Sequence, residues 1–299
     1  MPHADADEAG AEVLPATELG ETAYAKVNLA LHVRGRRADG YHALESLFVF
    51  AEQGDGLSGA IRADGKFQLR CEGPFGHLLD ADAENLVLKA ARFLQRLLGE
   101  SRGADLLLVK NLPVASGIGG GSADAAATLR LLLRLWEASI APGELHDLAL
   151  SLGSDVPACL ASVTQMVTGR GEALQRHDVN GLDRKPMLLV NPGVAVSTGR
   201  IFAGWDQVDR GPLRAASLGD LVKDGRNDLQ PAAIADAPVI GQVLEALNRC
   251  DAVRLARMSG SGATCFALFD NAAALALAAQ DLRAQYPEWW VAETRIRTA

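Results

Sequence analysis

The sequence predicts an α+β fold in two domains, with mixed and antiparallel sheets and packed helices. Three observations predict it. At 299 residues the chain suits two domains of roughly 150 residues each. Its first ordered segments are strands, which opens the chain as antiparallel β. After them, segments with strand and helix periods follow in mixed order to the C-terminus.

Residues 1–21 are rich in Ala, Asp and Glu and lack periodicity, so they read as a disordered acidic tail. From Ala23 to Val33 the apolar residues fall on alternate positions, the pattern of a strand with one buried face. Tyr24, Lys26, Asn28 and His32 share the opposite face. The Asp39-Gly40 turn ends this segment, and ALESLFVF (43–50) and KFQLRCE (66–72) are further strands. Asn85–Leu98 is amphipathic at helical spacing, and DLLLVK (105–110) is a short buried strand. A glycine-rich loop leads into an Ala/Leu helix at about 122–138, followed by a helix at Glu144–Leu152. In GSDVPACL, Pro157 suits a first helical turn. A second section carries strands at 187–193, 253–258, 263–269 and 291–297, with helices at 239–247 and 271–285. The expected domains are 22–172 and 173–299.

Composition narrows the function classes. A hydrophobic fraction of 48% and a charged fraction of 22% exclude long-range disorder. No apolar run approaches the ~20 residues of a membrane span, and MPHADADEAG has no apolar core of a signal peptide. The net charge of −8 argues against a nucleic-acid binder but leaves room for a locally basic site that takes a small anion. The four cysteines, Cys71, Cys159, Cys250 and Cys265, form no C-x-x-C pair and read as free thiols of a reducing, cytoplasmic compartment.

The densest chemical signal is PVASGIGGGSADAAATLR (113–130). Gly117, Gly119, Gly120 and Gly121 lie between a strand and a helix, with Ser122 placed as N-cap and Asp124 in the first turn. Glycines at a helix mouth can turn successive N–H groups toward one centre, where the helix dipole also favours an anion, so a phosphate chain is the expected occupant. No lysine follows Gly121, which excludes a Walker loop, and both registers of the dinucleotide fingerprint fail at Ser122 and Asp124.

TAYAKVNLAL near the start, PVASGIGGGSADAAA in the middle and MSGSGATCFAL near the end stand in the order of the three motifs of the GHMP kinase superfamily, which the chain resembles over about residues 22–299. More narrowly, AKVNLALHVRGRRADGYHALESLF (25–48) resembles the branch acting on a CDP-linked methylerythritol in non-mevalonate isoprenoid precursor synthesis. The departures remove no charged catalytic group: Tyr24 stands where proline is common, Ala115-Ser116 where a glycine-alanine or double-glycine pair is usual, Ile118 where leucine is frequent, and Ser122-Ala123-Asp124 where Ser-Ser or Ser-Ser-Asp is usual.

The resemblance implies a GHMP-kinase-like fold and ATP-dependent phosphorylation of a small alcohol, with magnesium (Mg2+) accompanying ATP. Asp155 would take the proton from the acceptor hydroxyl, and Lys26 would stabilise that oxygen and the moving phosphoryl group. By residue pattern alone Asp155 reads as a helix cap and Lys26 as a solvated strand lysine. Asn28 would orient the acceptor. His42 would meet the hydrogen-bonding edge of a cytosine, Tyr41 would stack on it, and Phe202, with Thr198 nearby, would be the second stacking partner. Gly117, Ile118, Gly119, Gly120, Gly121 and Ser122 would hold the ATP phosphates, with Asn85 and Lys110 near the adenosine. The loop Ser259–Gly262 would lie close to the phosphates, or be only a tight hairpin. The expected partner is the small-molecule substrate, with no nucleic acid and no membrane, for a monomer or homodimer. Rival readings are a homoserine or mevalonate type of kinase and an inactive nucleotide-binding regulator.

Overall fold

The computed structural model describes residues 19–80 and 85–298. A long antiparallel hairpin forms its spine. Strand β1 (Leu19–Arg36) pairs along its length with β2 (His42–Arg62). The turn between them closes where Arg37 donates its backbone N–H to Tyr41 and Asp39 accepts from the Tyr41 amide. Residues 1–18 of the expected tail lie outside the described residues. Leu19, Gly20 and Glu21 belong to β1 instead: they pair with Gly59, Ser58 and Leu57, and Glu21 forms ion pairs with Arg130 and Arg134.

The other edge of β2 is shared. Its first part pairs with β5 (Gln165–Gly169) and its last part with β4 (Gly103–Val109), leaving Val49–Asp55 between them. Strand β3 (Phe67–Glu72) runs parallel to β4, with helix α1 (Leu86–Leu98) as the crossover. Strand β6 (Ala173–Arg176) closes this first sheet beside β5, so the sheet continues past residue 172. Helices α2 (Gly120–Leu135), α3 (Pro142–Leu152) and α4 (Val156–Ala161) cover one face. The alanines at 123, 125, 126 and 127 are all buried, and their small side chains let α2 lie close on the hairpin.

The second sheet, in the order β10-β7-β9-β8, is antiparallel throughout: β7 (Pro186–Asn191), β8 (Val253–Met258), β9 (Cys265–Phe269) and β10 (Trp290–Arg295). Helices α5 (Thr198–Ala203), α6 (Leu218–Lys223), α7 (Gln230–Asp236), α8 (Val239–Asn248) and α9 (Ala272–Gln285) accompany it. Ala25, Val27 and Leu29 of β1 pack with Leu189, Phe266 and Leu268 in a core between the two sheets. The predicted apolar face of β1 is therefore real. Its opposite face is not solvated, since Lys26, Asn28 and His32 are all buried. Among the described residues, no helix is long and apolar enough to cross a membrane.

Candidate active site

A cavity of about 1070 Å³ opens where the polar face of β1 meets the glycine loop, the Ser259–Gly262 loop and α5. Lys26, Asn28 and Asp155 line it together. Lys26 is only 4% exposed, and its ammonium lies 3.0 Å from Asp155 Oδ2, 3.0 Å from Asn28 Oδ1 and 4.1 Å from the Phe48 ring centroid. A buried ammonium is stable only when paired, and here a carboxylate, an amide oxygen and an aromatic face share it. Asn28 is locked in turn, donating from Nδ2 to Ser46 Oγ (2.8 Å), which donates to the Ala30 carbonyl (2.6 Å).

Asp155 stands at the start of α4 but makes no side-chain capping bond, and its backbone is already helical. Its carboxylate turns to Lys26 and the cavity, so the local pattern that suggested a cap is not used as one.

The glycine loop differs from expectation at the helix start. Helix α2 begins at Gly120, and its N-cap is Gly119 with φ 64°, so Ser122 is its third residue and not its cap. The reason is backbone freedom: only glycine takes that left-handed conformation at little cost, which moves the helix mouth ahead of Ser122. The first N–H groups of α2 have no carbonyl partners within the helix, and Gly120, Gly121 and Ser122 line the cavity. Gly117 has φ 77°, and a Cβ there would lie 2.6 Å from the Gly262 carbonyl oxygen. The Ile118 side chain is buried in the inter-sheet core, while its carbonyl accepts from the Lys26 amide.

Lys110 sits below this loop, with Nζ 3.0 Å from where a Cβ on Gly120 would be. It pairs with Asp55 (2.5 Å) and Asp124 (2.6 Å), all three being buried. Burial pulls the lysine down, but the two carboxylates outweigh it and raise it above its ordinary value. Burial pushes the Asp124 carboxyl up, against the pull of Lys110 and with the help of Asp55. Asp55 also accepts from the amides of Asn111 and Leu112, which fixes the approach to the loop. Asn85 caps α1 through Val87 N–H and is absent from the cavity lining, where its neighbour Leu86 stands.

The Ser259–Gly262 loop is both a hairpin connection between β8 and β9 and part of the site. Ser259 Oγ accepts from Asn28 N–H and donates to the Gly117 carbonyl, each at 3.0 Å. One buried hydroxyl thus ties β1, the glycine loop and this loop together. Ser261 Oγ meets Thr198 Oγ1 at 3.0 Å.

At the far end of the cavity His42 lies 5.1 Å from Phe202 and 5.7 Å from Trp205, centroid to centroid. Burial, and then the Arg36 charge, lower His42 below the ordinary histidine value. Tyr41 is 59% exposed at the rim, with the Arg170 guanidinium 5.2 Å from its ring. The sequence therefore placed Lys26, Asn28, Tyr41, His42, Lys110, the loop glycines, Ser122, Asp155, Thr198 and Phe202 on one cavity. It missed Asp55, Ser46 and Trp205. Local signals for them are weak: Asp55 lies in a Gly-Asp-Gly run that reads as a turn, and a lone serine or tryptophan reads as core.

The sequence profile of the GHMP kinases N-terminal domain matches residues 85–162, and that of the GHMP kinases C-terminal domain matches residues 213–288. The 4-diphosphocytidyl-2-C-methyl-D-erythritol kinase of Rhizorhabdus wittichii is 48% identical over 286 residues, covering 95% of this chain and 96% of that protein. The chain belongs to the GHMP kinase family. The Sphingopyxis alaskensis protein of the same name is 46% identical, over 93% of this chain and 98% of its own. A crystal structure of 4-(cytidine 5'-diphospho)-2C-methyl-D-erythritol kinase superposes with a TM-score of 0.77 at 30% identity, covering 93% of this chain and 99% of that one. Homoserine kinase from Cytophaga hutchinsonii, at 17% identity and a TM-score of 0.72, shares the fold over 96% of this chain and 98% of its own. As a family member this GHMP kinase is an ATP-dependent small-molecule kinase.

Proposed function

We propose that this GHMP kinase transfers the γ-phosphoryl group of ATP to the 2-hydroxyl of 4-diphosphocytidyl-2-C-methyl-D-erythritol, a step of non-mevalonate isoprenoid precursor synthesis. One observation carries the reading. The Lys26–Asp155 pair stands in a single cavity between a phosphate-suited helix mouth and an aromatic pocket around His42. Homoserine and mevalonate have no base for such a pocket to read.

Asp155 takes the proton of the acceptor hydroxyl as its oxygen attacks the γ-phosphorus, and ADP leaves. Lys26, fixed by Asn28, offers its charge to that oxygen and to the phosphoryl group in transit. The free amides at the start of α2 hold the phosphates, with the Lys110 ammonium beneath them. His42, neutral near pH 7, meets the Watson–Crick edge of cytosine, while Phe202 and Tyr41 flank the ring. Magnesium fits this donor set as a passenger of the nucleotide: it keeps most of its ligands from phosphate and water, and Ser122 and Asp155 offer oxygens in the cavity. When bound it would neutralise phosphate charge. Among the described residues no cluster of three acidic, histidine or cysteine side chains forms a separate metal cage.

The test is ADP release with ATP and a panel of alcohols: the CDP-linked methylerythritol, its uridine analogue, homoserine and mevalonate. Turnover of the CDP-linked acceptor, with the uridine form reduced at least tenfold, supports the reading. Equal kcat/KM for homoserine or mevalonate would overturn it.

A further inference from the structure

Trp205 lies just beyond α5, three residues after Phe202, and its amide donates to the Phe202 carbonyl at 3.2 Å. That spacing on one turn sets both rings on the same side of the chain. Trp205 is only 5% exposed, yet it forms part of the cavity wall. Its indole stands at 86° to the His42 ring, while Phe202 is tilted at 32° to it. Among the described residues the His42 ring has no hydrogen-bond partner. Its orientation is therefore set by these two aromatic contacts. The indole Nε1 of Trp205 is buried and also lacks a partner, so the side chain is held by packing, with Leu31, Ile201 and Leu229 in the same core.

We propose that Trp205 is a positioning and specificity residue of the acceptor pocket: its perpendicular indole fixes the plane in which His42 presents its ring nitrogens to the base. This rests on the cytidine reading above. A neutral imidazole has one N–H donor and one bare acceptor nitrogen. Cytosine offers an acceptor at N3, and uracil offers a donor at the same place. An imidazole free to turn about its χ2 bond can present either nitrogen and so accept either base. One held in place by two rings meets the base at one position and angle and cannot shift to recover a hydrogen bond with the wrong base. Phe202 alone cannot impose this: a ring against the imidazole face opposes turning about χ2 but lets the side chain slide across that face by χ1, and a second ring at a right angle blocks that slide.

The experiment compares the full-length protein with Trp205→Leu and Trp205→Phe in steady-state assays with the CDP-linked acceptor and its uridine analogue. An aromatic pair of this kind is worth about two- to tenfold in an equilibrium. In Trp205→Leu the acceptor KM should rise about fivefold, and the cytidine-to-uridine preference should fall by a similar factor. The KM for ATP and kcat should stay within twofold, and Trp205→Phe should recover most of the preference. An unchanged base preference in Trp205→Leu, or an ATP KM that rises in step with the acceptor KM, overturns the proposal while leaving the kinase reading intact. A wild-type enzyme that turns over the CDP-linked acceptor without preferring it removes the pocket reading and this proposal together. A second measurement covers a Leu variant that does not fold. In the wild type the Trp205 indole N–H resonance, assigned by its loss in Trp205→Phe, should shift on saturation with cytidine monophosphate. An unmoved resonance overturns the proposal.

Discussion

Replacing Asp155 with Asn separates catalysis from scaffolding because of two geometric facts. The carboxylate makes no capping bond to α4, so the helix loses nothing directly. Its ion pair with Lys26 is lost, but Asp155 is 32% exposed on its side chain and water screens it. Lys26 stays buried but keeps Asn28 Oδ1 and the Phe48 face and gains the new amide oxygen, so the stability cost falls between the ~1 kcal/mol of a partly exposed pair and the 3–5 kcal/mol of a fully buried one, at about 2 kcal/mol. A cost of that size moves Tm by only a few degrees in a protein of this length. The asparagine cannot take a proton, so kcat should fall by about 10²–10⁴. Acceptor and ATP affinities by calorimetry should change less than about threefold. Lys26→Met should also lower kcat steeply, and the double variant should be far less than multiplicatively worse, since both groups serve one transfer. The reasoning fails if Asp155→Asn keeps near-normal kcat while its Tm drops by ten degrees or more.

Other parts of the site give sharper structural outcomes. Gly117→Ala places a Cβ 2.6 Å from the Gly262 carbonyl oxygen and 2.7 Å from that of Ser259, at φ 77°; ATP affinity should fall at least tenfold by calorimetry, with acceptor binding less affected. Lys110→Met leaves Asp55 and Asp124 facing each other in a buried site, which should cost about 3–5 kcal/mol in urea unfolding. Burial already pushes the Asp124 carboxyl up, and without the lysine it loses the charge that pulls it down, so this variant should lose further stability as pH rises from 5 to 8. His32 is held below the free value of 6.5 by burial and then by Arg226. Its contribution is full above pH 6.5 and lost as pH falls through its folded-state value, because the unfolded chain takes the proton first. Denaturant titrations from pH 7.5 to 5 should show a shallower acid loss for His32→Gln than for the wild type.

What the sequence could show follows from the range of each signal. The alternation in β1 located one buried face, and the structure puts Ala25, Val27 and Leu29 there. Alternation cannot tell a solvated polar face from one that floors a cavity, so the burial of Lys26 and Asn28 had to come from tertiary structure. The sequence pattern marks a strand only over 43–50, and Gly54-Asp55-Gly56 beyond it carries the residues of a turn, yet β2 runs on through them to Arg62. Gly54 serves close packing instead: a Cβ there would lie 2.5 Å from the Ala23 carbonyl oxygen. Asp55 stays in the strand because Lys110 and two backbone amides satisfy it. Strands β5 and β6 leave little periodicity to detect because they are five and four residues long and joined by the short turn Arg170-Gly171-Glu172. The site motifs were legible because phosphate chemistry constrains neighbours in sequence. Asp55, Ser46 and Trp205 act across long separations and left no local pattern.

The two halves of the cavity are built on different principles, and this divides their roles. Around the reacting groups nearly every buried polar atom already has a partner in the chain. Lys26 rests on Asp155 and Asn28, Asn28 on Ser46, and Ser259 bridges Asn28 and Gly117. Such a network need not reorganise when charge shifts during transfer, which is the condition for electrostatic stabilisation of a transition state. In the aromatic half, His42 has no hydrogen-bond partner among the described residues and is held only by ring contacts. Its polar capacity is left for a ligand. Binding energy realised there, remote from the transferred phosphoryl group, can hold the acceptor in line with Asp155. Substitutions in the first half should therefore act mainly on kcat and those in the second on acceptor KM and base preference. A His42 variant that lowered kcat with an unchanged acceptor KM would contradict this division.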